Sequence, residues 1–135
     1  MIQRIQTVFL VIAALLNLTV YFTPIYEKAL NDPHLWIGLG LAISLLIGMA
    51  LSVISIFLYA DRQNQIVWVK RAALFQIIAL GFCVGVLFSL GGIGTYLWDE
   101  TLGTALVVLA LIFQVLALRF IKKDDELVRS MDRIR

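Results

Sequence analysis

The chain has one cysteine, Cys83, one histidine, His34, and two prolines in 135 residues. A single thiol forbids an intrachain disulfide and any zinc cluster built on thiolates. Charge is scarce as well. Asp, Glu, Lys and Arg make up 15% of the chain, against about 25% in soluble domains. The net charge of +2 excludes a strongly basic or acidic nucleic-acid binder. Two prolines and nine glycines exclude a collagen-like or disordered chain. What is abundant is apolar side chain, at 61% against roughly 45–50% in soluble proteins, with a mean hydropathy of +0.96. One domain of 15.2 kDa cannot hide that much apolar surface from water. The composition is that of an integral membrane protein.

The charged residues cut the chain into four uncharged runs: Ile5–Tyr26 (22 residues), Pro33–Ala60 (28), Ala72–Trp98 (27) and Thr101–Leu118 (18). A membrane-crossing helix needs roughly 20 apolar residues, and lipid forces each backbone amide to be satisfied within its own helix. The runs predict an all-α membrane protein, an antiparallel four-helix transmembrane bundle in residues 1–120, with spans at about 5–24, 35–60, 70–91 and 100–120. A charged helical tail at 121–135 follows. The separating loops are read as Pro24–Leu35, Asp61–Arg71 and Gly91–Glu100. Ten of the eleven Lys and Arg residues lie at the N-terminus, in the middle loop or in the tail; Lys28 alone lies elsewhere. The positive-inside rule then predicts both termini in the cytoplasm. Aromatics at the span ends agree: Tyr21, Tyr26, Trp36, Tyr96 and Trp98 on one side, Tyr59 and Trp68 on the other. Met1–Leu16 could pass for a secretory leader, but no small-x-small cleavage site follows, so a retained first span is expected.

The opening Met1-Ile-Gln-Arg-Ile-Gln-Thr7, the middle-loop Asp61-Arg-Gln-Asn-Gln65 and the ending from Arg119 through Lys122, Lys123, Leu127, Arg129, Met131 and Arg133 to Arg135 carry a resemblance. The chain resembles the four-span family catalogued as domain of unknown function 4293, found in Bacteroidota. Asp61 departs from the Asn expected there. The resemblance implies a bacterial inner-membrane protein with the same four-span layout. It implies no activity and no cofactor.

In lipid, helices associate through close packing and polar contacts. The second span has small residues four apart, Gly40, Ser44, Gly48 and Ser52, with Ser55 beyond; the third has Gly81, Gly85 and Ser89. Two readings are open: packing within one bundle, or a dimer seam. Buried amides are the rarer signal. Gln3, Gln6 and Asn17 share a face of the first span, Gln76 lies opposite Gly81 and Gly85 on the third, and Gln114 aligns with Gly103, Ala110 and Ala117 on the fourth. They are read as interhelical hydrogen bonds, or as the lining of a polar path. The third span, small on one side and amide-bearing on the other, is expected to be the most buried. Gln76 and Gln114 lie five residues from Arg71 and Arg119, which places both at one depth and predicts contact or a shared bridge, with Gln3, Gln6 or a second-span Ser as alternative partners.

No catalytic set emerges. His34 beside Glu27 and Asp32 suggests a metal site or general base in outline, but a lone loop histidine is the simpler reading. Gly91-Gly-Ile-Gly94 lacks the lysine and the strand of a phosphate loop. Asp99 and Glu100 suit the positive end of the fourth helix, and Cys83 suits a buried inert thiol. In the tail, Asp125 and Glu126 can each pair with Arg129. Leu127, Met131 and Ile134 form a narrow apolar edge. The tail, with Lys122, Lys123, Arg129 and Arg133, is read as a solvated helix end, a lipid-surface helix or a docking edge.

The sequence thus leads to a small non-enzymatic membrane protein, an accessory or assembly subunit of a larger membrane complex. A homo-oligomeric channel or transporter lined by Asn17, Gln76 and Gln114 is the alternative. The implied partners are the bilayer and a membrane protein or a second copy, with no nucleic acid. No ionisable residue at membrane depth argues against an ion path.

Overall fold

The computed structural model describes residues 2–91 and 97–134. Tyr96, Gly92–Gly94 and Arg135, with the side chains of Gln3 and Arg4, lie outside the described residues. Five helices follow in order: α1 (Ile2–Val20), α2 (Pro24–Leu30), α3 (Leu35–Phe57), α4 (Arg62–Ser89) and α5 (Trp98–Ile134). Among the described residues all regular structure is helical. By length and composition α3, α4 and α5 can each cross a membrane, as can the bent pair α1–α2 taken as one span.

The long helices form a ring. α1 packs against α3 and α5, and α4 packs against the same two, so α1 faces α4 across one diagonal and α3 faces α5 across the other. The outside is apolar on every helix, with Leu15 on α1, Leu46 on α3, Ile77 on α4 and Ile112 on α5 all exposed. That inverted pattern fits lipid as the solvent. Two apolar clusters fill the interior. One gathers Val20, Ile25, Leu41, Cys83 and Val107 toward the α2 end. The other gathers Leu10, Val69, Ala117 and Ile121 toward the termini, where Phe9 lies 5.8 Å from Phe113 and 5.6 Å from Phe120.

Three sequence boundaries change. The first helix ends at Val20, and the chain turns by 54° into α2, inside what reads as loop. Pro24 causes this, because it lacks an N–H and fits the first turn of a new helix. α2 lies close on the bundle end: a side chain at Gly38 would put Cβ 2.7 Å from the Ala29 carbonyl oxygen, and one at Gly103 would meet Ile25 at 2.5 Å. Second, Asp61–Arg71 is no loop. Asp61 caps α4 by accepting from the Asn64 backbone N–H at 3.2 Å, so the helix begins at Arg62, well before the expected boundary at residue 70. Asn and Asp cap about equally well, which makes the departure from Asn at this position neutral. Third, the junction at 120/121 is no break: the tail continues the helix, as its reading as a helix end has it. α5 runs unbroken for 37 residues, about 55 Å at 1.5 Å per residue.

Candidate functional site

The bundle interior holds one polar layer, built by all four long helices. Asn17 on α1 and Gln76 on α4 exchange two amide hydrogen bonds, Asn17 Nδ2 to Gln76 Oε1 and Gln76 Nε2 to Asn17 Oδ1, both 2.9 Å. Gln76 Nε2 also donates to the Val107 carbonyl of α5 at 3.2 Å. Across the other diagonal Gln114 Nε2 donates to Ser52 Oγ on α3 at 3.1 Å and lies 3.5 Å from Gln76 Oε1. Ser52 Oγ passes its own proton to the Gly48 carbonyl at 2.8 Å. Asn17, Ser52, Gln76 and Gln114 are each fully buried. Gly48 borders the layer, and a Cβ there would meet Gln76 Oε1 at 3.5 Å and Asn17 Nδ2 at 3.8 Å, ordinary contact distances.

The three amides read from the sequence are therefore brought together, with Ser52 as the second-span partner. Gln6 is buried as well, but its Nε2 finds no partner among the described residues, and neither does Gln114 Oε1. Their geometry is that of a mutual lock. Every helix of the ring holds another through this layer, while apolar clusters seal it on both sides.

The small-residue rows divide. On α3, Ser44, Gly48, Ser52 and Ser55 are buried, and Gly40 lies against the Phe82 ring. That row serves packing within the bundle. On α4, Gly81, Gly85 and Ser89 are exposed, and a Cβ at either glycine would meet nothing within 4 Å. The expectation that the third span is the most buried fails for this reason. A third (33%) of the apolar window is buried in α3, α4 and α5 alike, because the glycine face of α4 looks outward.

At the terminal end of the bundle, α5 is fastened to the start of α4. Arg62 Nε donates to Asp124 Oδ2 at 2.7 Å, and Gln63 Nε2 to Asp125 Oδ2 at 2.7 Å. Both carboxylates sit at the N-terminus of α4, where the helix dipole favours them. Arg129 adds an i,i+4 pair to Asp125 at 3.2 Å; Glu126, its other expected partner, is not used. Lys122 and Lys123 just before this clamp and Arg129 and Arg133 beyond it are exposed, as are Leu127, Met131 and Ile134.

Sequence reasoning overlooked several contacts. Gln65 is buried and donates to the Ser55 carbonyl at 3.0 Å; its neighbourhood of charges hides it. The Tyr21 hydroxyl donates to the Ala42 carbonyl at 2.7 Å. His34 lies 3.4 Å from a carboxylate, but that partner is Asp32 alone, and among the described residues no group of three His, Cys, Asp or Glu could hold a metal.

The chain belongs to the family described as Domain of unknown function (DUF4293), whose model matches residues 2–134. No curated protein and no solved structure matches it.

Proposed function

We propose that this DUF4293 member is a non-enzymatic accessory or assembly subunit of a larger bacterial inner-membrane complex, with both termini cytoplasmic. The observation that carries the reading is the far end of α5. About 20 residues of this helix suffice to cross the bilayer, and the nine residues after Asp125 continue the same unbroken helix some 14 Å past its contact with the start of α4. Leu127, Met131 and Ile134 line one edge of that projection and are 42%, 66% and 86% exposed. The Arg62–Asp124 and Gln63–Asp125 contacts hold it rigid, which lowers the ordering cost of binding.

Continuity with the span argues against the lipid-surface reading of the tail, since an interfacial helix lies in the membrane plane. The channel reading has less support than the subunit reading. Asn17, Gln76 and Gln114 spend polar atoms on one another, on Ser52 and on the Val107 carbonyl.

The test is a photoreactive side chain at Ser130, irradiated in native membranes. A discrete protein adduct, lost when Leu127→Asp and Met131→Asp are combined, supports a docking edge. Adducts with lipid only, or recovery of this chain alone in mild detergent at every expression level, contradict it.

A further inference from the structure

At the end of the bundle where α2 leads into α3, a cavity of about 460 Å³ is lined by Lys28, Asn31, Asp32, Pro33, His34 and Ser89, among others. The Asp32 side chain is only 8% exposed. Its Oδ1 accepts from the His34 backbone N–H at 3.0 Å. Its Oδ2 has a single neighbour, the Ser89 hydroxyl at 3.5 Å. That hydroxyl has one proton, and its shorter contact is with the Val86 carbonyl at 2.8 Å. The Asp32 side chain is thus more than nine-tenths buried, its Oδ1 also faces the exposed His34 ring Nδ1 at 3.4 Å, and its Oδ2 borders the cavity without a short donor, a place that suits a cationic one. Lys28 lines the same cavity and is exposed, and among the described residues no ion pair joins it to Asp32. An anion and a cation share this pocket, and the complement of that arrangement is a zwitterion.

A second, apolar cavity of about 340 Å³ is lined by Trp36, Ile37, Ile78, Gly81, Phe82 and Gly85. The two linings are near neighbours along the chain on both sides. Ser89 is one helical turn from Gly85, and Pro33 and His34 lead directly into α3 and Trp36. From Ser89 to Ile78 the helix descends about 16 Å, close to the depth of one leaflet in a hydrocarbon core of about 30 Å.

We infer that the paired cavities bind a phospholipid with a primary-amine zwitterionic headgroup, drawn from the leaflet on this side. The ammonium meets Asp32, the phosphate faces Lys28, and an acyl chain lies over Gly85 and Gly81 beside Trp36. A second copy of the chain seated on the glycines would cover the lower cavity but leave Asp32 Oδ2 without a short donor. The inference rests on the bundle spanning a bilayer and needs no protein partner.

Native mass spectrometry of the full chain in mild detergent tests it, with phosphatidylethanolamine, phosphatidylcholine and phosphatidylglycerol of matched acyl chains added in turn. Phosphatidylethanolamine should be retained selectively. Asp32→Asn should weaken its retention at least about tenfold, the fold-change of losing one charge-assisted hydrogen bond. Gly85→Leu, which enters open space and leaves the bundle intact, should weaken retention too. Equal retention of the three lipids, or indifference to Asp32→Asn, overturns the proposal. So does binding of soluble phosphoethanolamine as strong as that of the lipid and unaffected by Gly85→Leu, which would assign the pocket to a free solute. Loss of a dimer in Gly85→Leu with lipid retention unchanged would assign the glycines to self-association and likewise overturn it.

Discussion

Asn17 and Gln76 stand on opposite helices of the ring and exchange two 2.9 Å hydrogen bonds through its centre. In an apolar solvent this pair does what apolar burial does in water: it distinguishes the correct arrangement of helices from others with equally greasy surfaces. Because a lone amide in hydrocarbon is costly, removing one partner already harms the other, so the two losses overlap.

A double-mutant cycle measures this. Asn17→Leu and Gln76→Leu should each destabilise the bundle by on the order of 1–2 kcal/mol, the range for interhelical hydrogen bonds in membranes. The double substitution should cost less than their sum, with a coupling near 1 kcal/mol. Reversible unfolding in mixed micelles provides the readout, and strict additivity would show that the pair is not a unit.

The glycines separate by environment. Gly38→Ala drives a methyl group to 2.7 Å from the Ala29 backbone oxygen, which cannot move without shifting α2; a loss of about 1–3 kcal/mol is expected. Gly81→Ala and Gly85→Ala meet nothing within 4 Å and should be neutral or stabilising by up to about 1 kcal/mol through helix propensity. Melting temperatures of the three variants in one detergent check the contrast.

The spans and the amide layer were legible because their signals are local. Uncharged runs report length, and amides amid leucines report a face. Two fold features were hidden by reading charge as loop. The Arg62–Arg71 stretch is helical because Asp61 caps it, and Thr23-Pro24, a helix-start signature, opens α2 inside an expected loop. Which way a glycine row faces was not legible at all. Gly40 and Gly81 look alike in sequence, and only what an added Cβ would meet, the Phe82 ring at Gly40 and nothing within 4 Å at Gly81, tells them apart. Asp32 reads as an ordinary loop acid, since its burial depends on α4 reaching Ser89 beside it.

The fastening of α5 predicts a salt-sensitive tail. Arg62→Ala or Asp124→Ala should leave the bundle folded but raise amide exchange over residues 124–134. Arg62 and Asp124 are partly exposed, at 28% and 16%, so the stability effect should stay near 0.5–1 kcal/mol and shrink as salt rises. The exchanged pair Arg62→Asp with Asp124→Arg should recover part of the protection. Hydrogen exchange of the four proteins at low and high salt provides the comparison.

The docking edge requires the bundle to cross a membrane with the α5 extension and the α3–α4 turn on the cytoplasmic side. Single cysteines placed by Gln63→Cys and Asn31→Cys, in a Cys83→Ala background, can be labelled with an impermeant thiol reagent in intact cells. Asn31→Cys should react at once, and Gln63→Cys only after the membrane is permeabilised. Labelling of both from outside, or of Gln63→Cys alone, would contradict the topology on which the docking edge depends.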